Sequence, residues 1–313
     1  MLYSVIIPVY KNEESIPRLI NTLTEVFAKR PEVEFEVVFV VDGSPDNSFM
    51  LLKNMQSDMP FLSKVLLLSR NFGALEAVKA GMAHANGDFN CVLAADLQEP
   101  PELLLDMLNK HIKTNCDLVL GVRNNRNDPL LTKLFSITFW MVYRKLVVKE
   151  VPRGGVDIFA CSRRVRELLA AFRESRTSLI GLIFWVGFTK EFVEYDRLER
   201  IEGVSAWSFS KKFDYMLDSI FSFTDLPIKA MLGLGGVGVI FSLALGIVVL
   251  TIRLGGGVSV PGYTATLLTI LFMGSLNLLA VGLVGGYAWR CYENSKGRPN
   301  SIVSNITISP SHK

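Results

Sequence analysis

The sequence predicts an α/β domain built on a mostly parallel sheet, followed by a hairpin of two membrane-crossing helices. Three observations carry this. Up to Gly121, strand-length apolar runs alternate with helix-length periodic segments. The strand runs are apolar throughout, as expected of strands covered on both faces of a parallel sheet. Two later segments, Ala230–Ile252 and Tyr263–Trp289, contain no charged residue.

Taken in order, the run at 3–9 reads as the first strand and the stretch from about Glu13 to Ala28 as a helix. The run at 35–41 reads as the second strand, with a helix opening at Asp46. Further strands are predicted at 64–69, 89–95 and 117–121, with helices near 73–85 and 101–113 between them. No signal peptide is expected, because Met1-Leu2-Tyr3-Ser4 runs directly into the first strand.

The segment Ala230–Ile252 has 23 residues. As a helix it spans roughly 34 Å, enough for a hydrocarbon core of about 30 Å. Tyr263–Trp289 is longer and can tilt. Two buried core helices are the weaker reading, since neither segment has a polar stripe. Charge supports the split. Residues 228–313 hold six Lys/Arg and one acid; subtracted from totals of 33 and 30, this leaves 27 basic and 29 acidic residues in 1–227. Lys211, Lys212 and Lys229 flank one end of the hairpin, and Arg290, Lys296 and Arg298 the other. The positive-inside rule then places both ends in the cytoplasm. The expected organisation is a domain at 1–227, spans at about 230–252 and 263–289, and a tail at 291–313. Gly282 and Gly286 form G-x-x-x-G, and glycines crowd Gly233 to Gly238, which permits close helix packing within the hairpin or between copies.

Composition excludes several classes. Half the residues are hydrophobic and 20% are charged, which rules out a disordered chain. The net charge of +3 comes from the hairpin flanks, so no nucleic-acid partner is expected. Cys91, Cys116, Cys161 and Cys291 form no C-x-x-C motif and read as free thiols. The three histidines have no zinc spacing.

In parallel sheets ligands bind at the carboxyl ends of the strands. Those ends read Pro8-Val9-Tyr10-Lys11-Asn12-Glu13, Val41-Asp42-Gly43-Ser44, Ser69-Arg70-Asn71-Phe72-Gly73 and Asp96-Leu97-Gln98-Glu99-Pro100-Pro101. No G-x-G-x-x-G follows the first strand, and no P-loop occurs. An Asp, an Arg-Asn pair and an Asp-x-Gln facing one cleft suit a nucleoside diphosphate. Asp42 can hydrogen-bond a base or ribose, Arg70 can pair with phosphate, and Asp96 can hold a divalent cation against the diphosphate.

These motifs resemble the inverting, nucleotide-sugar-dependent glycosyltransferases of the GT-A (Rossmann-like) fold, and within them the polyprenyl-phosphate glycosyltransferases. The resemblance runs from Val5-Ile6-Ile7-Pro8-Val9-Tyr10 through Trp185-Val186-Gly187-Phe188 to Lys296-Gly297-Arg298-Pro299. Its most specific part is Ser69-Arg70-Asn71-Phe72-Gly73 followed by Asp96-Leu97-Gln98-Glu99-Pro100-Pro101-Glu102, and the two C-terminal spans point to the bacterial branch. The resemblance implies that Pro8, Tyr10 and Asp42 line the base and ribose pocket, with Glu13 and Asn71 also in the substrate-binding set. It places Asp96 and Gln98 at the metal and diphosphate, Arg70 and Arg123 by phosphates, and Asp157 near the reacting centre. Arg200 and Trp207 match a segment that closes over the donor, Arg200 with a catalytic role. It further implies Mg²⁺ or Mn²⁺, a nucleotide-sugar donor (UDP-glucose first), a polyprenyl phosphate acceptor, and a bilayer partner at the bacterial inner membrane. A homo-oligomer, a tetramer by the family pattern, is implied as well.

The sequence departs from the family pattern at four positions. Ala94 stands where an Asp would complete Asp-x-Asp, Val41 replaces an acid before Asp42, Glu13 is displaced after Asn12, and Ala206 replaces a Lys. One carboxylate fewer therefore faces the cation, and Glu99 or the donor phosphates would compensate. A phosphomonoester acceptor is largely ionised near pH 7 and needs little general-base help. The reading is a single in-line displacement at the anomeric carbon, with Asp157 orienting the acceptor or a sugar hydroxyl. The same residue also reads as a helix cap before Arg163-Arg164. The segments 131–148 and 211–225 read as amphipathic interfacial helices, with Lys133 and Ser136 as phosphate contacts. Burial of both against the sheet is the alternative. Two other functions fit the composition. A polysaccharide synthase would carry Q-x-x-R-W and more spans, and neither is present. A non-catalytic nucleotide-sugar-binding scaffold is motivated by Ala94.

Overall fold

A computed structural model describes residues 1–124, 140–152 except 142 and 146, 155–174, 177–198, 209–255 and 263–309. Its elements are β1 (Leu2–Val9), α1 (Ile16–Phe27), β2 (Glu34–Val41), α2 (Ser48–Met55), β3 (Leu62–Leu68), α3 (Ala74–His84), β4 (Phe89–Val92), α4 (Leu103–Thr114), β5 (Leu118–Arg123), β6 (Val156–Ser162), α5 (Arg163–Ala171), α6 (Leu179–Trp185), β7 (Lys190–Tyr195), α7 (Phe209–Phe223), α8 (Leu226–Leu254), α9 (Tyr263–Ser295) and β8 (Val303–Ile308).

The strands form one sheet in the order β7-β5-β6-β4-β1-β2-β3-β8. The pairs β1/β2, β1/β4, β2/β3 and β5/β7 are parallel, while β6 and β8 run against their neighbours. The centre is apolar on both faces: Val5, Ile6, Ile7, Val37, Val38, Phe39, Val40 and Val41 are all fully buried. This is why the central strands show no alternation in sequence. Helix α1 starts with Pro17 in its first turn and buries Ile16, Leu19, Ile20, Leu23, Val26 and Phe27, the spacing of one helical face. Phe27 then stacks on Phe35 of β2, with ring centroids 4.0 Å apart.

The expected elements up to Gly121 are present, with shifted ends. Strand β4 stops at Val92 rather than Ala95, because beyond the Leu93 N–H, which donates to the Ile6 carbonyl (3.0 Å), the chain turns into the acidic loop. Strands β6, β7 and β8 are additions. The last corrects the tail assigned to 291–313: Val303–Ile308 pairs antiparallel with β3 and closes the sheet edge.

The chain divides into two compact units. One is Met1–Asp218 together with the chain from Pro299 on. The other, Ser219–Arg298, is mainly α8 and α9. Two helical stretches in it, Leu226–Ile252 and Thr269–Ser295, are long and apolar enough to cross a membrane. Their large apolar side chains lie open, with Leu232 71%, Ile240 70% and Leu278 75% exposed, so this unit has no core of its own to account for them. Near the end of α9, Lys296 stands over the rings of Trp289 (5.2 Å) and Tyr292 (4.4 Å), and Arg290 over Phe221 (5.0 Å).

Most of the segment 131–148 lies outside the described residues; the described part packs one side against the domain. Trp140 and Tyr143 are buried, and only Met141 among these three points outward. The Trp140 indole packs where a side chain on Gly155 would stand, and the Tyr143 hydroxyl bonds the Ser178 hydroxyl at 2.9 Å. Ser178 also bonds the Tyr215 hydroxyl of α7 at 2.5 Å, so this polar node joins three segments of the first unit.

Candidate active site

The loops at the carboxyl ends of β1, β2 and β3 are knitted together before any ligand is considered. Pro8 lies in β1, and Tyr10 follows it with its N–H on Asn12 Oδ1 (3.0 Å). Lys11 adopts a left-handed conformation (φ 57°) and donates its N–H to Ser44 Oγ (2.8 Å). Glu13 accepts from the Asn47 N–H (3.0 Å) and Nδ2 (3.1 Å). Glu13 thus ties the start of α2 to the loop after β1.

Asp42 is 3% exposed and accepts from the Phe72 N–H (2.7 Å) and the Gly73 N–H (2.9 Å). Burial raises its carboxyl above the usual range, opposed by those two bonds and by the Arg70 charge. Each oxygen keeps a second lone pair for a base or ribose. Gly43 (φ +56°) lets the backbones after β2 and β3 touch: a Cβ there would stand 2.2 Å from the Arg70 carbonyl carbon. Arg70 is exposed, stacks over Phe72 at 4.1 Å, and donates to the Asn71 carbonyl (3.2 Å). Its guanidinium remains at the strand ends, where an anion can reach it.

The second half of the site lies after β4. Asp96 accepts the Gln98 N–H on Oδ1 (3.3 Å), and Leu97 is held at φ 52°. Gln98 Oε1, its one ligating atom for a cation, accepts from Arg197 Nη2. The Gln98 carbonyl also takes the Leu198 N–H (2.9 Å). Glu99 is 5% exposed, and its buried Oε2 has no hydrogen-bond partner. Burial first, then the Asp96 charge, push its carboxyl up to about 7, while the nearby Arg197 pulls it down.

Opposite this loop stands Asp157. Register explains how. Arg123 at the end of β5 is the parallel partner of Tyr195 at the end of β7, and β6 begins beside it with Val156 opposite Val122. Asp157 forms an ion pair with the Arg123 guanidinium and accepts from the Tyr195 hydroxyl (3.4 Å). Burial, then the Asp157 charge, raise the Tyr195 phenol well above its usual range, so it remains a donor. Asp157 lies inside β6, five residues before the Ser162 cap of α5. The helix-cap reading therefore fails, and the carboxylate belongs to the cleft.

The structure thus brings together Asp96, Gln98, Arg123 and Asp157, and adds Glu99, Tyr195 and Arg197. Arg123 is bound to Asp157, a modification of its expected phosphate role. Lys133, Ser136, Arg200 and Trp207 lie outside the described residues. Among the described residues no group of three His, Cys, Asp or Glu could cage a metal alone. The oxygen donors present, the Asp96 carboxylate and the buried Oε2 of Glu99, fit a divalent cation that completes its shell on donor phosphates. The residues that reasoning from sequence passed over, Tyr195 and Arg197, sit at the end of a strand whose alternating Lys-Glu-Phe-Val-Glu-Tyr pattern is short and charged.

A sheet of this order, with acids and arginines gathered at its carboxyl edge, defines a GT-A glycosyltransferase. The chain belongs to glycosyl transferase family 2, whose model matches residues 4–172. It is 34% identical over 307 residues to the glycosyltransferase sll0501 of Synechocystis, covering 97% of this chain and 95% of the relative. It is 31% identical to the bactoprenol glucosyl transferase of Shigella phage SfV, covering 97% and 99%. The prophage bactoprenol glucosyl transferase homolog of Escherichia coli is also 31% identical, covering 98% and 99%. Among solved structures, the mannosyltransferase PcManGT of Pyrobaculum calidifontis aligns with a TM-score of 0.47 and 14% identity, over 89% of this chain and 86% of that one.

Proposed function

We propose that the protein transfers a glucosyl group from UDP-glucose to a polyprenyl phosphate at a bacterial cytoplasmic membrane. The observation that carries this is one chain holding both an acid-and-arginine cleft and two open apolar helices, similar over nearly its full length to bactoprenol glucosyl transferases. Asp42 and the loops around it take the nucleoside, and Arg70 takes phosphate charge. Asp96 would hold Mg²⁺ or Mn²⁺, which when bound would supply charge neutralisation for the departing nucleoside diphosphate. The acceptor phosphate is already a nucleophile near pH 7. Asp157, held by Arg123 and Tyr195, orients the acceptor or a sugar hydroxyl for in-line attack with inversion.

Connectivity supports a double crossing. The chain leaves its sheet-bearing unit after Asp218 and rejoins it at Pro299, so two crossings return it to the face it left. The Trp289, Tyr292 and Lys296 cluster at the end of α9 matches the aromatic and cationic belt of a membrane boundary. The open glycine faces of α8 and α9, at Gly233 and Gly282 among others, support packing against a second copy.

Purified full-length protein incubated with labelled UDP-glucose, undecaprenyl phosphate and Mn²⁺ or Mg²⁺ tests the reading. Label should pass to an organic-extractable product. No transfer from UDP-glucose, with transfer from another nucleotide sugar, would replace the donor assignment; no transfer from any donor would overturn the function.

A further inference from the structure

We propose that Arg197 is a positioning residue of this site, whose guanidinium holds Gln98 so that the loop 96–99 is set to receive a cation-bound donor diphosphate. The inference rests on the glycosyltransferase reading above and assigns a residue that the motifs do not name.

Two hydrogen bonds join the chain just after β7 to the acidic loop. Arg197 Nη2 donates to Gln98 Oε1. The Leu198 N–H donates to the Gln98 carbonyl at 2.9 Å. The Arg197 charge also lies close enough to Glu99 to draw its carboxyl down. Gln98 and Glu99 are 8% and 5% exposed, so neither can turn to water for compensation. A buried carboxylate without a cation nearby is costly, and Asp96 adds a second negative charge three residues away. The loop also stores strain: Leu97 holds φ 52°, a conformation that persists only where its surroundings enforce it. Removing Arg197 would take away the counter-charge and the side-chain tie at once, leaving Asp96 and Glu99 to repel each other across a strained residue.

An arginine suits the position better than a lysine: its planar guanidinium can donate to Gln98 while spreading positive charge over the acidic loop, whereas an ammonium concentrates its charge at one point. Such an arrangement behaves like the outer shell of a metal site, where loss of a supporting partner typically weakens cation binding about 10- to 100-fold.

The test is Mn²⁺ binding in the presence of UDP, followed by electron paramagnetic resonance on the full-length protein in detergent. Arg197→Ala and Arg197→Gln should each weaken Mn²⁺·UDP binding by about 10- to 100-fold. Arg197→Lys should recover part of that loss. At saturating Mn²⁺ and donor, the turnover number of Arg197→Lys should stay within about threefold of wild type, a split that general destabilisation would not produce. If Arg197→Ala fails to fold, Arg197→Gln and Glu99→Gln decide, the latter with a loss of several-fold. Folded Arg197 variants that bind Mn²⁺·UDP within twofold of wild type would overturn the proposal while leaving the glycosyltransferase reading intact. A wild-type protein that binds no Mn²⁺·UDP would overturn both.

Discussion

Asp157 on β6 is ion-paired with Arg123 on β5, and the Tyr195 hydroxyl donates to the same carboxylate from β7. Three strands thus converge on one carboxylate that is itself about one-third exposed, with a side-chain exposure of 31% against 11% for Arg123. A carboxylate held this way is oriented before any substrate arrives.

Asp157→Asn keeps the volume and the Tyr195 hydrogen bond but removes the charge that Arg123 answers. Turnover should fall by at least about 100-fold, in the range for loss of a group acting in the transition state. The UDP dissociation constant should move by less than about threefold, because the residues proposed to take the nucleoside lie at the ends of β1 to β3. Steady-state kinetics beside calorimetric UDP titration checks this. A near-normal turnover number would remove Asp157 from the mechanism.

Much of this cleft was legible because it sits at the ends of buried strands. Asp42 and Asp96 end or follow apolar runs that local sequence marks clearly, and both stand at the carboxyl edge of the sheet. Glu13 and Gln98 were legible as positions but not as partners. Asn47 and Arg197 claim them through contacts 34 and 99 residues apart, which no local pattern encodes. Strand β8 was illegible for the same reason. Its residues Val303–Ile308 are mostly half-exposed or exposed, so they show little of the apolar signature of a strand until β3 is placed beside them. Strand β7 is a sheet edge with an alternating, charged sequence, and with it Tyr195 and Arg197 went unseen.

Glu99 gives a pH-dependent stability. Burial, then Asp96, push its carboxyl from 4.5 up to about 7. Between those values the folded state keeps a proton that the unfolded chain has released, so stability falls as pH rises through that window. The full penalty, reached above pH 7, is on the order of 3 kcal/mol at 1.36 kcal/mol per unit. Glu99→Gln removes the titration. In EDTA, its melting temperature should exceed that of wild type at pH 8, and the gain should vanish near pH 4.5. Thermal unfolding followed by intrinsic fluorescence at both values is the check; an equal difference at both would show that Glu99 does not titrate as described.

Gly43 tests whether the donor half of the site depends on backbone contact. Alanine there must adopt φ +56° and place its Cβ 2.2 Å from the Arg70 carbonyl carbon, a backbone atom that cannot swing aside. The loops after β2 and β3 must part, and Asp42 loses the geometry of its bonds to Phe72 and Gly73. Gly43→Ala should cost about 1–3 kcal/mol in stability and weaken UDP binding by at least about tenfold. Chemical denaturation and UDP titration measure the two effects. Wild-type affinity in the variant would show that the contact between these loops is dispensable.

The last strand binds the C-terminus to the domain that begins the chain. Ser63 and Ser309 exchange bonds (Ser63 N–H to Ser309 Oγ and Ser309 N–H to the Ser63 carbonyl, both 2.9 Å), and Gln56 Nε2 donates to the Thr307 carbonyl at 3.2 Å. Truncation after Asn300 would strip β3 of its partner and leave an apolar edge with unpaired backbone groups, a template for association. The truncated protein should melt several degrees lower and elute from size exclusion in detergent with a larger aggregated fraction. Asn305→Lys is the control: this exposed side chain of β8 stands opposite Leu67, so its charge should leave both readouts unchanged. A truncated protein as stable and monodisperse as the full chain would mean that β8 adds nothing to the sheet it completes.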